Sequence, residues 1–158
     1  MKNNIKCNGK SYPNDISFIR IKDLNKIKNT LLEFNDGLPP LQGEEAYVDS
    51  VSEKIAANGI VYCILANMKR IGFFSIYAND HTTKTAFISF IAIGRQYRNS
   101  GYGSSLLNKA ILTAKENHME TLKLEVLKYN TNAQHFYKKH GFSFAGESEN
   151  SIYLEKAI

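Results

Sequence analysis

The sequence predicts one mixed α/β domain, and three observations carry that expectation. Its 158 residues are enough for one buried core and too few for two. Apolar residues recur at helical spacing in some stretches and alternate in others, so helices and strands are both expected. No internal repeat, low-complexity tract or linker divides the chain. Residues 1–14 are set apart as an N-terminal extension, and residues 15–158 form the domain.

The elements follow in order. Asp15 to Lys22 alternates imperfectly through Ile16, Phe18 and Ile21, a first strand. Asp23 offers an N-cap to a helix with Leu24, Ile27, Leu31 and Leu32 on its apolar face. Asn35-Asp36-Gly37 and Pro39-Pro40 end it in a loop. A second helix runs from Glu44 to Ala57 and stops at Asn58-Gly59. Gly59 to Met68 and Ile71 to Tyr77 read as paired strands around a turn at Lys69-Arg70, and Thr85 to Ile93 as a further apolar strand. Leu106, Leu107, Ala110, Ile111 and Ala114 mark an amphipathic helix. Leu122, Leu124 and Val126 mark a strand, Asn130 to His140 a short helix stopped by Gly141, and 142–146 and 151–155 two closing strands.

Composition narrows the function classes. No stretch approaches the roughly 20 apolar residues of a membrane-spanning helix, and the start MKNNIK is too polar for a secretory signal, so no membrane partner and a cytoplasmic location are expected. Cys7 and Cys63 form no CxxC, and no histidine pair has zinc-ligand spacing, so no metal is expected. Charge is uneven. Residues 69–140 carry 11 basic and 4 acidic side chains, a surplus of seven within a net charge of +5. That is either a solvated surface or a segment that meets an anion.

The segment contains IAIGRQYRNSGYGSSLL, residues 91–107, where Arg98-Asn99-Ser100-Gly101-Tyr102-Gly103 lies between a strand and a helix. The first turn of a helix leaves backbone N–H groups unpaired and partly positive, and glycines let the backbone approach a ligand. The loop is therefore an ordinary turn or a cradle for a diphosphate. In the second case Arg98 adds charge at its mouth, and Ser100, Ser104 and Ser105 add hydroxyl donors. It is not a P-loop, which needs Gly-Lys-Ser/Thr, and it lacks the third glycine of GxGxxG because position 106 is Leu.

A second constellation, LEVLKYNTNAQHFYKKHGF, spans residues 124–142. Ala133 lies one helical turn before Tyr137 and leaves room beside its ring. A phenol with a pKa of about 10 matches a thiolate leaving group as general acid. On the residues alone Phe136 and Tyr137 read first as core aromatics packing a short helix, and Lys138, Lys139 and His140 as a solvated helix end.

Arg98-x-x-Gly101-x-Gly103 after an apolar strand, followed by Asn130-x-x-Ala133-x-x-Phe136-Tyr137-x-x-x-Gly141-Phe142, resembles the GNAT N-acetyltransferase superfamily in its small bacterial form. The resemblance implies a mixed central sheet of six or seven strands with flanking helices, splayed between the strands ending at Ile93 and Leu127. It implies acetyl-CoA as co-substrate, its pantetheine arm lying in the splay against backbone groups of Ile91 and Ile93. Backbone N–H groups of Asn99, Ser100, Gly101, Tyr102, Gly103 and Ser104 would hold the diphosphate, and Asn130 the pantetheine, with Ala133 and Phe136 alongside. A small-molecule amine such as an amino sugar would attack the thioester directly, and Tyr137 would protonate the departing thiolate. The family's usual glutamate base is replaced by Ser89, and Asp80 and His81 are its nearest substitutes. Asp36, Glu44 and Glu45 could attract a cationic acceptor, and Tyr77 and Tyr129 could line its pocket. No nucleic acid is expected; such folds allow a homodimer. The alternatives are a basic nucleic-acid-binding module and a non-catalytic acyl-CoA-binding domain.

Overall fold

The computed structural model describes residues 6–7, 10–11, 16–38 and 45–158. Two short strands, β1 (Lys6–Cys7) and β2 (Lys10–Ser11), pair antiparallel within the expected extension. The domain follows as β3 (Ile16–Ile21), α1 (Leu24–Glu33), α2 (Glu45–Asn58), β4 (Ile60–Ala66), β5 (Lys69–Asp80) and β6 (Thr85–Ile93). It closes with α3 (Tyr102–Glu116), β7 (Thr121–Leu127), α4 (Thr131–Lys139), β8 (Ser143–Glu147) and β9 (Ser151–Ala157). The Pro39-Pro40 loop and Glu44 lie outside the described residues.

Asp23 caps α1 as expected, accepting from the Lys26 N–H at 2.9 Å. The β4–β5 turn is a correction. It falls at Asn67-Met68, both at positive φ (49° and 62°), and not at Lys69-Arg70, which begin β5. Two successive left-handed residues match the right-handed twist of the flanking strands, and Asn tolerates that conformation better than most.

The seven strands are ordered β3-β4-β5-β6-β7-β9-β8. Only β6 and β7 are parallel, joined by α3; every other pairing is antiparallel. Each face of the sheet buries its own apolar cluster. Ile27, Leu31, Phe34 and Ile55 from α1, its following turn and α2 cover one face with Val61, Cys63, Phe73 and Ala92. Leu106, Leu107, Ala110 and Ala114 of α3 and Tyr137 of α4 cover the other, with Ile64, Phe74, Ile76, Ile88, Leu122 and Leu124. Burial at roughly 25 cal/mol per Å² of apolar surface makes these two layers the main stabilising term.

The sheet opens at one place. β6 and β7 pair from Thr85↔Thr121 to Ile88↔Leu124 and no further. Beyond that point β6 stays on β5 through Ile93, and β7 stays on β9 through Leu127. The two strands therefore run on with a wedge between them, as the resemblance implies. A bulge marks the hinge: Ser75 pairs with Phe90 while the next residue, Ile76, pairs with Ile88, so Ser89 is the extra residue. An inserted residue bends its strand and sharpens the local twist.

Candidate active site

Three groups of residues converge on the open end of the wedge. The first is the exposed edge of β6. Gly94 N–H donates to Ile71 carbonyl on the β5 side at 2.9 Å. Backbone groups alternate sides along a strand, so Ile91 and Ile93 direct theirs away from β5, into the wedge. The Ile93 carbonyl is already taken, since Arg98 Nε donates to it at 2.9 Å. What remains open there is both backbone groups of Ile91 and the N–H of Ile93.

The second group is the glycine loop. Gly101 adopts φ +85°, a left-handed conformation that glycine takes without strain, and Asn99 sits at φ 60°. α3 begins at Tyr102 with no side-chain cap. Ser105 N–H donates to Gly101 carbonyl at 3.3 Å, whereas the N–H groups of residues 99 to 104 donate to none of the described residues. Six backbone donors are thus left at the positive end of a 15-residue helix.

The side chains of this loop behave differently from expectation. Arg98 commits its guanidinium to the Ile93 carbonyl and, through Nη2, to Asp36 at 3.2 Å. Ser100 Oγ donates to the Arg98 carbonyl at 3.4 Å, and Ser104 Oγ lies 2.9 Å from His140 Nε2. Two of the three hydroxyls are thus engaged within the protein. The Tyr102 ring is buried in the core, leaving only its backbone at the loop.

The third group is α4. Asn130 caps it, its side-chain carbonyl accepting from Ala133 N–H at 3.1 Å, and its Nδ2 donors have no partner among the described residues. Tyr137 is buried between Phe136 and Phe142, its ring edge-on to both at 5.2 and 5.6 Å. Ala133 and Phe136 pack against the same buried cluster as Ile91 and Ile93, on the α3 side of the sheet. The Tyr137 hydroxyl has no partner among the described residues. No fully buried side-chain oxygen or nitrogen there lacks a partner, so this hydroxyl keeps an opening to solvent.

Burial pushes the Tyr137 phenol well above its ordinary value of 10. The folded protein then holds this proton more tightly than the unfolded chain, and the contribution is complete below pH 10 and lost as pH rises above it. Burial shifts Cys63 and Tyr77 upward as well, with the same sign. Urea midpoints are therefore expected to fall above about pH 10. The fall should be shallower for Tyr137→Phe, with the difference approaching about 1.4 kcal/mol per pH unit.

Other sequence-derived candidates do not gather here. Asp80, the last residue of β5, is exposed beside the β5–β6 turn, where it accepts from Thr82 N–H, Thr83 N–H and Thr83 Oγ1. Those bonds, the Thr83 hydroxyl first, hold its carboxyl below the usual range. His81 is exposed in the same turn. Ser89 Oγ sits 2.7 Å from Ser75 Oγ and donates to the Ser75 carbonyl at 3.2 Å. Tyr77 packs on the α1–α2 face beneath Lys54. Tyr129 is exposed at the end of β7.

A cavity of about 550 Å³ at the end of β6 is lined in part by Glu33, Phe34, Asp36 and Arg70. Both of its carboxylates are paired, Glu33 with Arg70 at 2.7 Å and Asp36 with Arg98. Glu45 is likewise paired with Lys28. Within the basic segment, Arg70, Lys84, Arg98, Lys123 and Lys128 each meet a carboxylate, so its surplus is less concentrated than the sequence implied. Glu44 lies outside the described residues.

Comparison with known proteins bears on this arrangement. The sequence model of the acetyltransferase (GNAT) family matches residues 26–142. Streptothricin acetyltransferase A of Bacillus subtilis strain 168 is 51% identical over 57 residues, which are 36% of this chain and 33% of the relative. A Bacillus anthracis str. Ames structure, assigned as a streptothricin acetyltransferase and solved with acetyl coenzyme A, is 30% identical with a TM-score of 0.58. That match covers 64% of this chain and 63% of the other. The IAA acetyltransferase of Bacillus cereus ATCC 14579 is 20% identical, with a TM-score of 0.72 over 91% of this chain and 100% of its own, a likeness of fold. The chain thus spans about a third of the curated relative it matches and under two thirds of the first of these structures.

Proposed function

The chain belongs to the GNAT acetyltransferase family, and on that premise we propose that it transfers an acetyl group from acetyl-CoA to a primary amine of a small molecule. The observation that carries the reading is the pairing of two features: six N–H groups at the start of α3 that donate to none of the described residues, and the open backbone edge of Ile91 in the β6–β7 wedge. A diphosphate fits the first and an amide-bearing arm the second. The N–H groups of residues 99 to 104 hold the diphosphate. The Ile91 carbonyl and the Ile93 N–H pair with pantetheine amides as a short strand would, which leaves the Ile91 N–H for the reacting carbonyl, and Asn130 adds its Nδ2. Arg98 serves the site indirectly, by fixing the Ile93 carbonyl at its rim.

Catalysis proceeds in a ternary complex. The neutral amine attacks the thioester carbonyl carbon, and the resulting oxyanion is stabilised by backbone N–H at the β6 edge. The C–S bond then breaks with its electron pair on sulfur, and Tyr137 Oη gives the thiolate its proton. The amide nitrogen loses one proton to solvent, and the phenolate regains one. No carboxylate stands at Ser89, so the acceptor arrives already deprotonated or loses its proton through water. Streptothricin is the first acceptor to try, because two relatives carry its name, with amino sugars and other small amines after it.

Calorimetric titration with acetyl-CoA followed by thiol-release assays across streptothricin, amino sugars, polyamines and amino acids tests this reading. Saturable binding with turnover on an amine is expected. No binding at millimolar donor rejects the proposal, and binding without turnover on any amine leaves a non-catalytic acyl-CoA domain. Strongly salt-dependent binding to random DNA would favour the nucleic-acid alternative.

A further inference from the structure

His140 reads in the sequence as part of a solvated helix end; in the fold it is a bridge. It is the C-terminal cap residue of α4, half-buried, with both ring nitrogens occupied. Nδ1 lies 2.7 Å from the Phe136 carbonyl, and Nε2 lies 2.9 Å from Ser104 Oγ in the first turn of α3. A carbonyl only accepts, so Nδ1 carries the proton. In the neutral ring Nε2 is then the acceptor, and Ser104 Oγ donates to it. The ring also packs on Phe136 with centroids 4.3 Å apart. From the other side Lys156 Nζ donates to the His140 carbonyl at 2.6 Å, fixing the residue to β9. Gly103 completes the contact: a Cβ built there would stand 3.5 Å from the Phe136 ring, so the α3 entrance lies against α4.

We infer that His140 is a positioning residue for the donor site, locking the first turn of α3 to the helix that carries Tyr137. This rests on the proposed function. The first turn of a helix is the part that frays, and here it has no side-chain cap of its own. The N–H groups of Tyr102, Gly103 and Ser104 are useful to a diphosphate only while that turn is held, because donors fixed in advance lose less entropy on binding. The Ser104–His140 bond supplies the hold. It also assigns Ser104 its part, a backbone N–H for the diphosphate, with its hydroxyl turned to the imidazole.

The test compares wild type, Ser104→Ala, His140→Asn and the double variant in titrations with coenzyme A and with pantetheine, which lacks the diphosphate. Asn at 140 retains a donor for the Phe136 carbonyl, so α4 keeps its end while the link to α3 is lost. Each single variant is expected to weaken coenzyme A binding about tenfold, and the double variant no further, as one shared bond requires. Pantetheine affinity and acceptor KM should not move, whereas a merely structural role would lower Tm and weaken both ligands alike. Coenzyme A affinity within twofold of wild type in both single variants overturns the inference, as does an equal loss toward pantetheine. A wild-type protein that binds no coenzyme A overturns the proposed function, and this inference with it.

Discussion

Tyr137→Phe is expected to lower kcat about 10²- to 10⁴-fold while leaving coenzyme A affinity within a factor of two. The hydroxyl makes no hydrogen bond to the described residues, so its removal orphans no buried partner and the ring keeps its edge contacts with Phe136 and Phe142. Fold and donor binding should therefore survive. What is lost is the proton for the leaving thiolate. Burial holds that proton in place across the working pH range and also makes the phenol a weaker acid. In the proposed mechanism the proton passes to the thiolate that develops beside it. The variant should thus lose turnover at every pH below 10, and its alkaline limb should match that of wild type. Steady-state kinetics against pH, with titration of coenzyme A, reads both quantities. A variant retaining more than a tenth of wild-type kcat would remove Tyr137 from the mechanism.

Much of the fold was legible because local pattern and tertiary role agree. β6 was expected at Thr85 to Ile93 and runs over those residues, and α1 follows from Asp23 and the spacing of Ile27 and Leu31. The β4–β5 turn was misplaced because Met68, 90% exposed at φ 62°, carries no turn signal of its own. The left-handed turn before α3 is legible from Gly101, at φ +85°, since the need for unusual backbone is written in residue type. The side-chain partners were not. Arg98 meets Asp36 across 62 residues, and Ser104 meets His140 across 36, pairings that no local spacing encodes. The polar surroundings of Arg98 led to an expected free cation where the fold makes an internal tie. The bulge was equally hidden, because one extra residue in an apolar run looks like imperfect alternation.

That bulge supports the second large effect. Deleting Ser89 together with Ser75→Ala is expected to preserve the fold and abolish donor binding and turnover. Ile88 faces the α3 side of the sheet, and beyond the bulge Ile91 and Ile93 do so again, while Phe90 and Ala92 face α1 and α2. Without residue 89 the alternation from 88 to 90 becomes regular, and every apolar side chain keeps its present face. The pairing of residues 90–93 with β5 is also unchanged. Ser75→Ala accompanies the deletion because the buried Ser75 hydroxyl would otherwise lose its partner, at about 1–3 kcal/mol. A straightened β6 can continue its ladder with β7, bringing 90, 91 and 92 opposite 125, 126 and 127. The Ile91 backbone groups would then pair with β7 and the wedge would be closed to pantetheine. Ser89→Ala combined with Ser75→Ala is the control: it removes both hydroxyls but keeps the residue count, hence the bulge, and should bind coenzyme A as wild type does. Tm should stay within about 5 °C for both proteins, since the core is intact. Calorimetry separates the outcomes, because coenzyme A binding by the deletion variant would mean that the wedge does not depend on the extra residue.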